Sequence, residues 1–168
     1  MLALQKAEKM KKQAFADRYP YGIFSCIRTM GHIYKSRGNF DLSAQYYQEA
    51  LDYMLKNMPD QDPSQLYSSL AEYYRNTQKD YATALDYCEK ALKSAKTERN
   101  IAQAMIEKCL VLFRQGRIDE FNDCYKEAVQ MADRCKLSAS VSLLIAHISK
   151  NILGQTVMTQ AHAHADQL

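Results

Sequence analysis

The sequence predicts an all-α protein in which about eight helices stack as antiparallel pairs. Apolar residues recur at three- and four-residue spacing through most of the chain, the pattern of amphipathic helices. The same two-stripe pattern returns in three successive segments, which indicates an internal repeat. Gly (5) and Pro (3) are scarce, so the turn residues that an all-β protein needs are missing.

The repeat rests on three segments with the same ending, at residues 24–51, 64–92 and 102–129. Each closes on aromatic or Cys residues, then Glu or Lys, then alanine and an aliphatic residue. The anchoring alanines Ala50, Ala91 and Ala128 lie 41 and 37 residues apart. Every segment therefore has room for two helices.

Helix boundaries follow from the apolar stripes and from capping residues. Gly38 is placed as the residue after a helix C-terminus, and Asp62-Pro63 as an N-cap followed by the first helical residue. Further N-caps are predicted at Asp80, Thr97 and Ser138. The predicted helices cover residues 2–17, 22–36, 40–57, 63–77, 81–95, 98–114, 118–135 and 138–153.

The stretches GNFDLSAQYYQEAL and KDYATALDYCEKAL resemble the tetratricopeptide repeat family consensus. Small residues stand where the family packs two helices closely: Gly31, Ala71 and Cys109 on first helices, Ser43 and Ala84 on second helices. The resemblance covers about residues 20–135 and implies a right-handed superhelical stack, a tetratricopeptide-like α-solenoid.

The repeats also depart from the family pattern. Their period is longer than the usual ~34 residues, and the third repeat has Lys108 where a core Leu is expected and Phe121 where Ala is expected. Such lengthened repeats resemble the input segments of bacterial sensor and regulatory proteins.

We expect a single domain over residues 1–154 and a poorly ordered tail over residues 155–168. Its repeats lie near 22–57, 63–95 and 98–135, between half-repeats at 2–17 and 138–153. The last helix has more apolar residues than one stripe needs. That surplus favours continuation of the array, coverage by the tail, or self-association through the terminal helices.

The resemblance implies that first helices line a concave groove, and that groove is the expected site for a protein or peptide ligand. Nine residues are predicted to face it: Arg28, His32, Lys35, Ser68, Glu72, Arg75, Ile106, Leu110 and Phe113. The groove is basic at its first end and apolar at its last. We expect the apolar triplet Ile106, Leu110 and Phe113 to be covered, either by residues 138–168 or by a partner.

Chaperone-binding members of the family hold a peptide carboxylate with a clamp of Lys, Asn and Arg. The matching positions here are Arg28, His32, Ser69, Gln103 and Glu107, and three of the five lack the required chemistry. This clamp is predicted to be absent.

No phosphate-binding loop or hydrolase motif occurs, so we expect neither catalysis nor a cofactor. His162 and His164 lack a third ligand nearby, so no metal site is expected. The cysteines have neither zinc-ligand nor disulfide-framework spacing: Cys26, Cys88, Cys109, Cys124 and Cys135. Free thiols on buried stripes indicate a reducing compartment.

The net charge of +3 is too small to indicate nucleic-acid binding, and no apolar run is long enough to enter a membrane. We expect a cytoplasmic location, or a periplasmic one if the chain is part of a membrane-bound sensor. The predicted function is a protein- or peptide-binding scaffold, the sensing or adaptor part of a larger signalling protein. A structural spacer or oligomerisation element and a small-molecule sensor are the alternatives.

Overall fold

A computed structural model describes residues 2–136. This part of the chain holds seven helices and no strand, as predicted. They are α1 (Leu2–Ala16), α2 (Pro20–Ser36), α3 (Phe40–Asn57), α4 (Ser64–Tyr73), α5 (Tyr81–Ser94), α6 (Glu98–Arg114) and α7 (Ile118–Arg134). The predicted helix at 138–153, its N-cap Ser138 and the tail lie outside the described residues.

Capping residues begin and end these helices largely where the sequence predicted. The side chains of Asp80 and Thr97 accept hydrogen bonds from the backbone N–H groups of Thr83 and Asn100. Gly38 follows α2 with φ +75°, a left-handed conformation that glycine adopts without a steric cost. These three predicted boundaries are confirmed.

The helix predicted at residues 63–77 ends close to its predicted boundary, but its last turn is π-helical, which the sequence did not indicate. A π-helical turn, Tyr74–Gln78, continues the helix and accommodates an extra residue in the helical turn. Lys79, with φ 57°, ends it. This turn contributes to the lengthened repeat, because it adds chain without adding a separate element.

The helices pack as the predicted pairs, α2 with α3, α4 with α5 and α6 with α7, while α1 packs on α2. Gly31 marks the crossing of the first pair, since a Cβ there would lie 2.7 Å from the ring of Tyr47. The Ser43 hydroxyl donates to the Gly31 carbonyl at 2.8 Å in the same buried crossing. Both positions therefore need small side chains, as the repeat pattern indicated.

The core runs along the stack in three buried clusters, one centred on α2 and α3, one on α6 and α7, and one between them. Its tightest points are small residues with no exposed surface: Ala50, Ala71, Ala84, Ala91, Cys109 and Ala128. Close helix contacts at these residues fix how each pair sits on the next.

Candidate functional site

A cleft opens where the first helix pair meets the second. It has a volume of about 430 Å³ and is bounded by the C-terminal end of α2, the start of α3 and the end of α4. Its lining combines apolar and polar side chains: Lys35, Phe40, Ser43, Ala44, Tyr47, Ser69, Glu72, Tyr73, Asn76 and Thr77. Lys35 and Glu72, two of the predicted groove residues, meet in its wall.

An ion pair crosses this wall from α2 to α4. The Lys35 Nζ lies 2.5 Å from Glu72 Oε2, and the two side chains are 40% and 35% exposed. Because both groups remain in contact with solvent, their pairing is weak and exchangeable. The wall can therefore open to a ligand at a small cost.

The α2 side of the groove carries Arg28 and His32 as well as Lys35. The His32 Nδ1 lies 2.9 Å from the Tyr47 hydroxyl, which links the histidine to the cleft lining. Partial burial lowers the pKa of His32, and the positive charges of Arg28 and Lys35 add to this effect. His32 is therefore neutral at physiological pH, and the positive charge of this edge comes from its neighbours.

Arg28 lies over the face of Phe24, with its guanidinium carbon 5.2 Å from the ring centroid. Its Nε is buried and has no hydrogen-bond partner within residues 2–136. Over the same residues no carboxylate forms an ion pair with it. Arg28 is thus a cation stacked on Phe24 whose Nε–H group donates no hydrogen bond within residues 2–136.

Arg75, also predicted to face the groove, is instead deep in the next junction. Its guanidinium donates to both Glu107 oxygens, Nε at 2.7 Å and Nη2 at 3.2 Å, and a third nitrogen donates to Asn76. The Arg75 and Glu107 side chains are only 5% and 13% exposed. Burial raises the pKa of Glu107, and the Arg75 charge opposes this shift. This pair joins the end of α4 to α6.

Glu107 also occupies one of the five positions matched to the carboxylate clamp. Its oxygens are held by Arg75, while Gln103 is exposed and Ser69 lines the cleft. These three positions therefore lie in different surroundings: a buried ion pair, an exposed site and the cleft wall.

The remaining predicted residues fall at two places. Ser68 is half-buried on α4. Ile106 is 8% exposed within the core cluster of α6 and α7, and Leu110 and Phe113 pack against that cluster, half-buried. The rings of Phe113 and Phe121 lie 5.5 Å apart. Coverage of the triplet by residues 138–168 falls outside the described residues, and coverage by a partner stays a prediction.

Sequence reasoning did not identify the cleft residues contributed by α3 and by the π-helical turn. Phe40 and Tyr47 lie on the apolar stripe of the predicted helix 40–57 and Asn76 lies in the predicted helix 63–77, and none of the three is among the predicted groove residues. The sequence indicates a cleft at these residues only indirectly. Phe40 and Tyr47 lie on the same stripe as Ala44, and small Ala44 leaves space between them.

Antiparallel helix pairs stacked side by side, with a cleft between neighbouring pairs, define an α-solenoid of the helical-repeat class. The family model described as Tetratricopeptide repeat matches residues 23–97. The match spans the first two helix pairs, α2 to α5, so this part of the chain has the sequence pattern of tetratricopeptide repeats. No curated protein and no solved structure gives a match.

Proteins with these repeats generally mediate protein–protein interactions and are typically not catalytic. Among the described residues, no helix combines the length and apolar character needed to cross a membrane.

Proposed function

We propose that the concave face binds a protein or peptide segment, with an apolar side chain in the cleft and an acidic side chain at Arg28. The observation that carries this proposal is the cleft itself, with Arg28 two turns from Lys35 on the same face of α2 and without a carboxylate partner in the described residues. Ligand pockets commonly combine apolar walls with a few polar groups that set orientation.

The charge of the groove supports an acidic ligand. Lys35 is balanced by Glu72 and Arg75 by Glu107, whereas Arg28 is unbalanced over residues 2–136. An acidic side chain there would pair with the Arg28 guanidinium, which has no carboxylate partner over residues 2–136. The predicted groove residues with the most direct part in binding are thus Arg28, His32, Lys35 and Glu72.

The test compares two labelled peptides that share an aromatic residue and differ in their flanking charge, one acidic and one basic. Fluorescence anisotropy should give tighter binding for the acidic peptide, and this preference should fall as salt is added. Replacing Arg28 with Ala should weaken binding of the acidic peptide about two- to fivefold, as expected for a partly exposed charge pair. Arg99→Ala, at an exposed position on α6, is the matched charge control.

A larger side chain in the cleft tests whether the cleft is the binding site. Ala44→Leu should fill it and reduce affinity for both peptides, whereas Ala82→Leu, at an exposed site on α5, should not. Equal, salt-insensitive binding of both peptides to all variants would overturn the proposal.

A small-molecule sensor is a second candidate, because the cleft volume of about 430 Å³ is typical of small-ligand sites. Thermal stabilisation of the wild type, but not of Ala44→Leu, by a small aromatic carboxylate would favour it if neither peptide binds. If neither kind of ligand binds, the spacer or oligomerisation role remains.

The wider role we propose is that of a sensing or adaptor segment in a larger signalling protein, working without catalysis in the cytoplasm. Its support is the resemblance of the lengthened repeats to such segments, together with the free, buried thiols of Cys26, Cys88 and Cys109. A kinase or DNA-binding domain in the same polypeptide would favour this role, and co-purification with a metabolic enzyme alone would count against it.

A further inference from the structure

Two cysteines meet at the crossing of the third helix pair. Cys109 on α6 and Cys124 on α7 have their sulfur atoms 3.1 Å apart. A disulfide has an S–S length of about 2.05 Å, so the sulfurs need to approach by only about 1 Å to bond. The structure describes all five cysteines, and no other two of them share such a contact.

The two thiols differ in their surroundings. Cys109 has no exposed surface, whereas Cys124 is half-buried and so remains within reach of a small oxidant. The Cys109 thiol donates a hydrogen bond to the Cys124 sulfur, and this bond lowers the pKa of Cys124, assisted by the positive charge of Lys108. The same bond, together with burial, raises the pKa of Cys109. Cys124 is thus the thiol that ionises first.

We propose that Cys124 and Cys109 form a redox site that peroxide converts to a disulfide joining α6 to α7. Cys124 is the residue that reacts with peroxide, and Cys109 is the resolving residue that then reacts with the oxidised Cys124. A thiolate near a positive charge and open to solvent, poised beside a second thiol, is the arrangement that such chemistry requires.

The steps balance with hydrogen peroxide as the oxidant. The Cys124 thiolate attacks one peroxide oxygen, so an S–O bond forms, the O–O bond breaks, and the departing hydroxide takes up the proton that Cys124 lost on ionisation and becomes water. The Cys109 sulfur then attacks the Cys124 sulfenic acid, so the S–S bond forms, the S–O bond breaks and water leaves with the Cys109 proton. Both sulfurs are oxidised by one electron each, and peroxide is reduced to two waters. A small thiol such as glutathione reverses the reaction by exchange.

The remaining cysteines lack this environment. Cys88 has no exposed surface, and burial raises the pKa of its thiol. Burial likewise raises the pKa of Cys26. Cys135 is half-buried but has no cysteine hydrogen-bonded to it within the described residues. The selectivity of the site follows from pairing and exposure together.

The test treats the native protein with stoichiometric hydrogen peroxide, blocks free thiols under acid and maps the tryptic peptides by mass. Trypsin places the two cysteines in separate peptides, residues 109–114 and 118–126, so a crosslink between them is direct evidence. We expect this crosslink to dominate, to vanish with dithiothreitol and to raise the melting temperature reversibly by several degrees.

Three variants assign the roles. In Cys124→Ser the crosslink should vanish, with Cys109 still reduced. In Cys109→Ser, where the hydroxyl keeps a donor beside the Cys124 sulfur but cannot form a disulfide, a sulfenic acid at Cys124 should be trapped by dimedone. Cys88→Ala, the buried control, should crosslink as the wild type does.

Two results would overturn the proposal: a dominant crosslink that uses another cysteine, or both thiols still free to alkylate after peroxide treatment of the folded wild type. Failure of dimedone to label Cys124 in Cys109→Ser would overturn the assigned order of attack.

Discussion

The two junctions between neighbouring helix pairs are built differently. At the first, α2 and α3 meet α4 around an open cleft of about 430 Å³, with the half-exposed ion pair Lys35–Glu72 in its wall. At the second, α4 and α5 meet α6 around the buried pair Arg75–Glu107, and Val111 beside it has no exposed surface. The ion pair at the first junction is exposed to solvent beside an open cleft, whereas the ion pair at the second junction is buried.

This difference shows how one stack of helices can combine a rigid junction with a junction that has space for a ligand. A buried charge is tolerated only while its partner is in place, so Arg75–Glu107 fixes the angle between its helices. A half-exposed pair exchanges with water at little cost, so the Lys35–Glu72 wall can yield to a ligand. In the proposed function, the closed junction holds α4 in place while the open one admits the ligand.

The largest expected effect comes from breaking the buried pair. Arg75→Ala leaves the Glu107 carboxylate buried without its cation, so it should lower the free energy of unfolding by about 3–5 kcal/mol. Glu72→Ala, at the open junction, should lower it by no more than about 1 kcal/mol. Urea denaturation followed by circular dichroism measures both.

The control for this prediction is a matched apolar replacement. Arg75→Met combined with Glu107→Leu removes both charges, so it should recover most of the stability that Arg75→Ala loses. Equal losses for Arg75→Ala and Glu72→Ala would show that the two junctions do not differ energetically.

A second prediction concerns Asp62, which joins the start of α4 to the start of α6. Its carboxylate accepts hydrogen bonds from the backbone N–H groups of Ser64 and Lys96 and from the Asn100 side chain, at 2.9, 2.8 and 2.8 Å. Asp62→Asn puts a donor where an acceptor is needed and should lower the free energy of unfolding by about 2 kcal/mol. Asp60→Asn, at a neighbouring exposed carboxylate, should change it little.

The pH dependence gives a further check on Asp62. Burial opposes its ionisation, but the hydrogen bonds outweigh burial and lower the pKa of Asp62 in the folded protein. Its contribution is therefore complete above the unfolded-state pKa of about 3.9 and is lost as pH falls through the lower folded-state value. In Asp62→Asn this part of the acid destabilisation should disappear, and an unchanged pH profile would contradict the assignment.

The smallest expected effect is the difference in stability between two variants in which an alanine is replaced by leucine. Ala84 has no exposed surface in the closed junction, so Ala84→Leu should cost about 1–3 kcal/mol through overpacking. Ala44 borders the open cleft, so Ala44→Leu has space to occupy and should cost less. Melting temperatures of the two variants report the order, and a larger loss for Ala44→Leu would mean that the cleft is not available space.

The helices were predictable from the sequence because their evidence is local. Stripes at three- and four-residue spacing, with Asp80, Thr97 and Gly38 at the boundaries, each involve residues within one or two turns. The start of α4 was placed one residue early because Asp62 was assigned to a cap beside Pro63, and its bonds to Lys96 and Asn100 could not be foreseen.

The site was less predictable because it depends on pairs of residues far apart in sequence. The positions that face the groove could be counted along each helix. The side chains on other helices that bind them could not be identified from the sequence. Arg75 looked like a free groove cation, and the π-helical turn that follows Tyr73 carries it towards Glu107. The contact between Cys109 and Cys124 likewise depends on how α6 crosses α7, which stripe patterns do not specify.

Asp62 also bears on how the array melts. Stacks of repeats are described by the intrinsic stability of each unit and the coupling between neighbours, and weak coupling allows units to unfold one by one. The Asp62 carboxylate serves the first turn of one repeat and the first turn of the next, so fraying of either strands the hydrogen bonds of the other. Together with the buried pair Arg75–Glu107, Asp62 thereby couples the unfolding of the second repeat to that of the third.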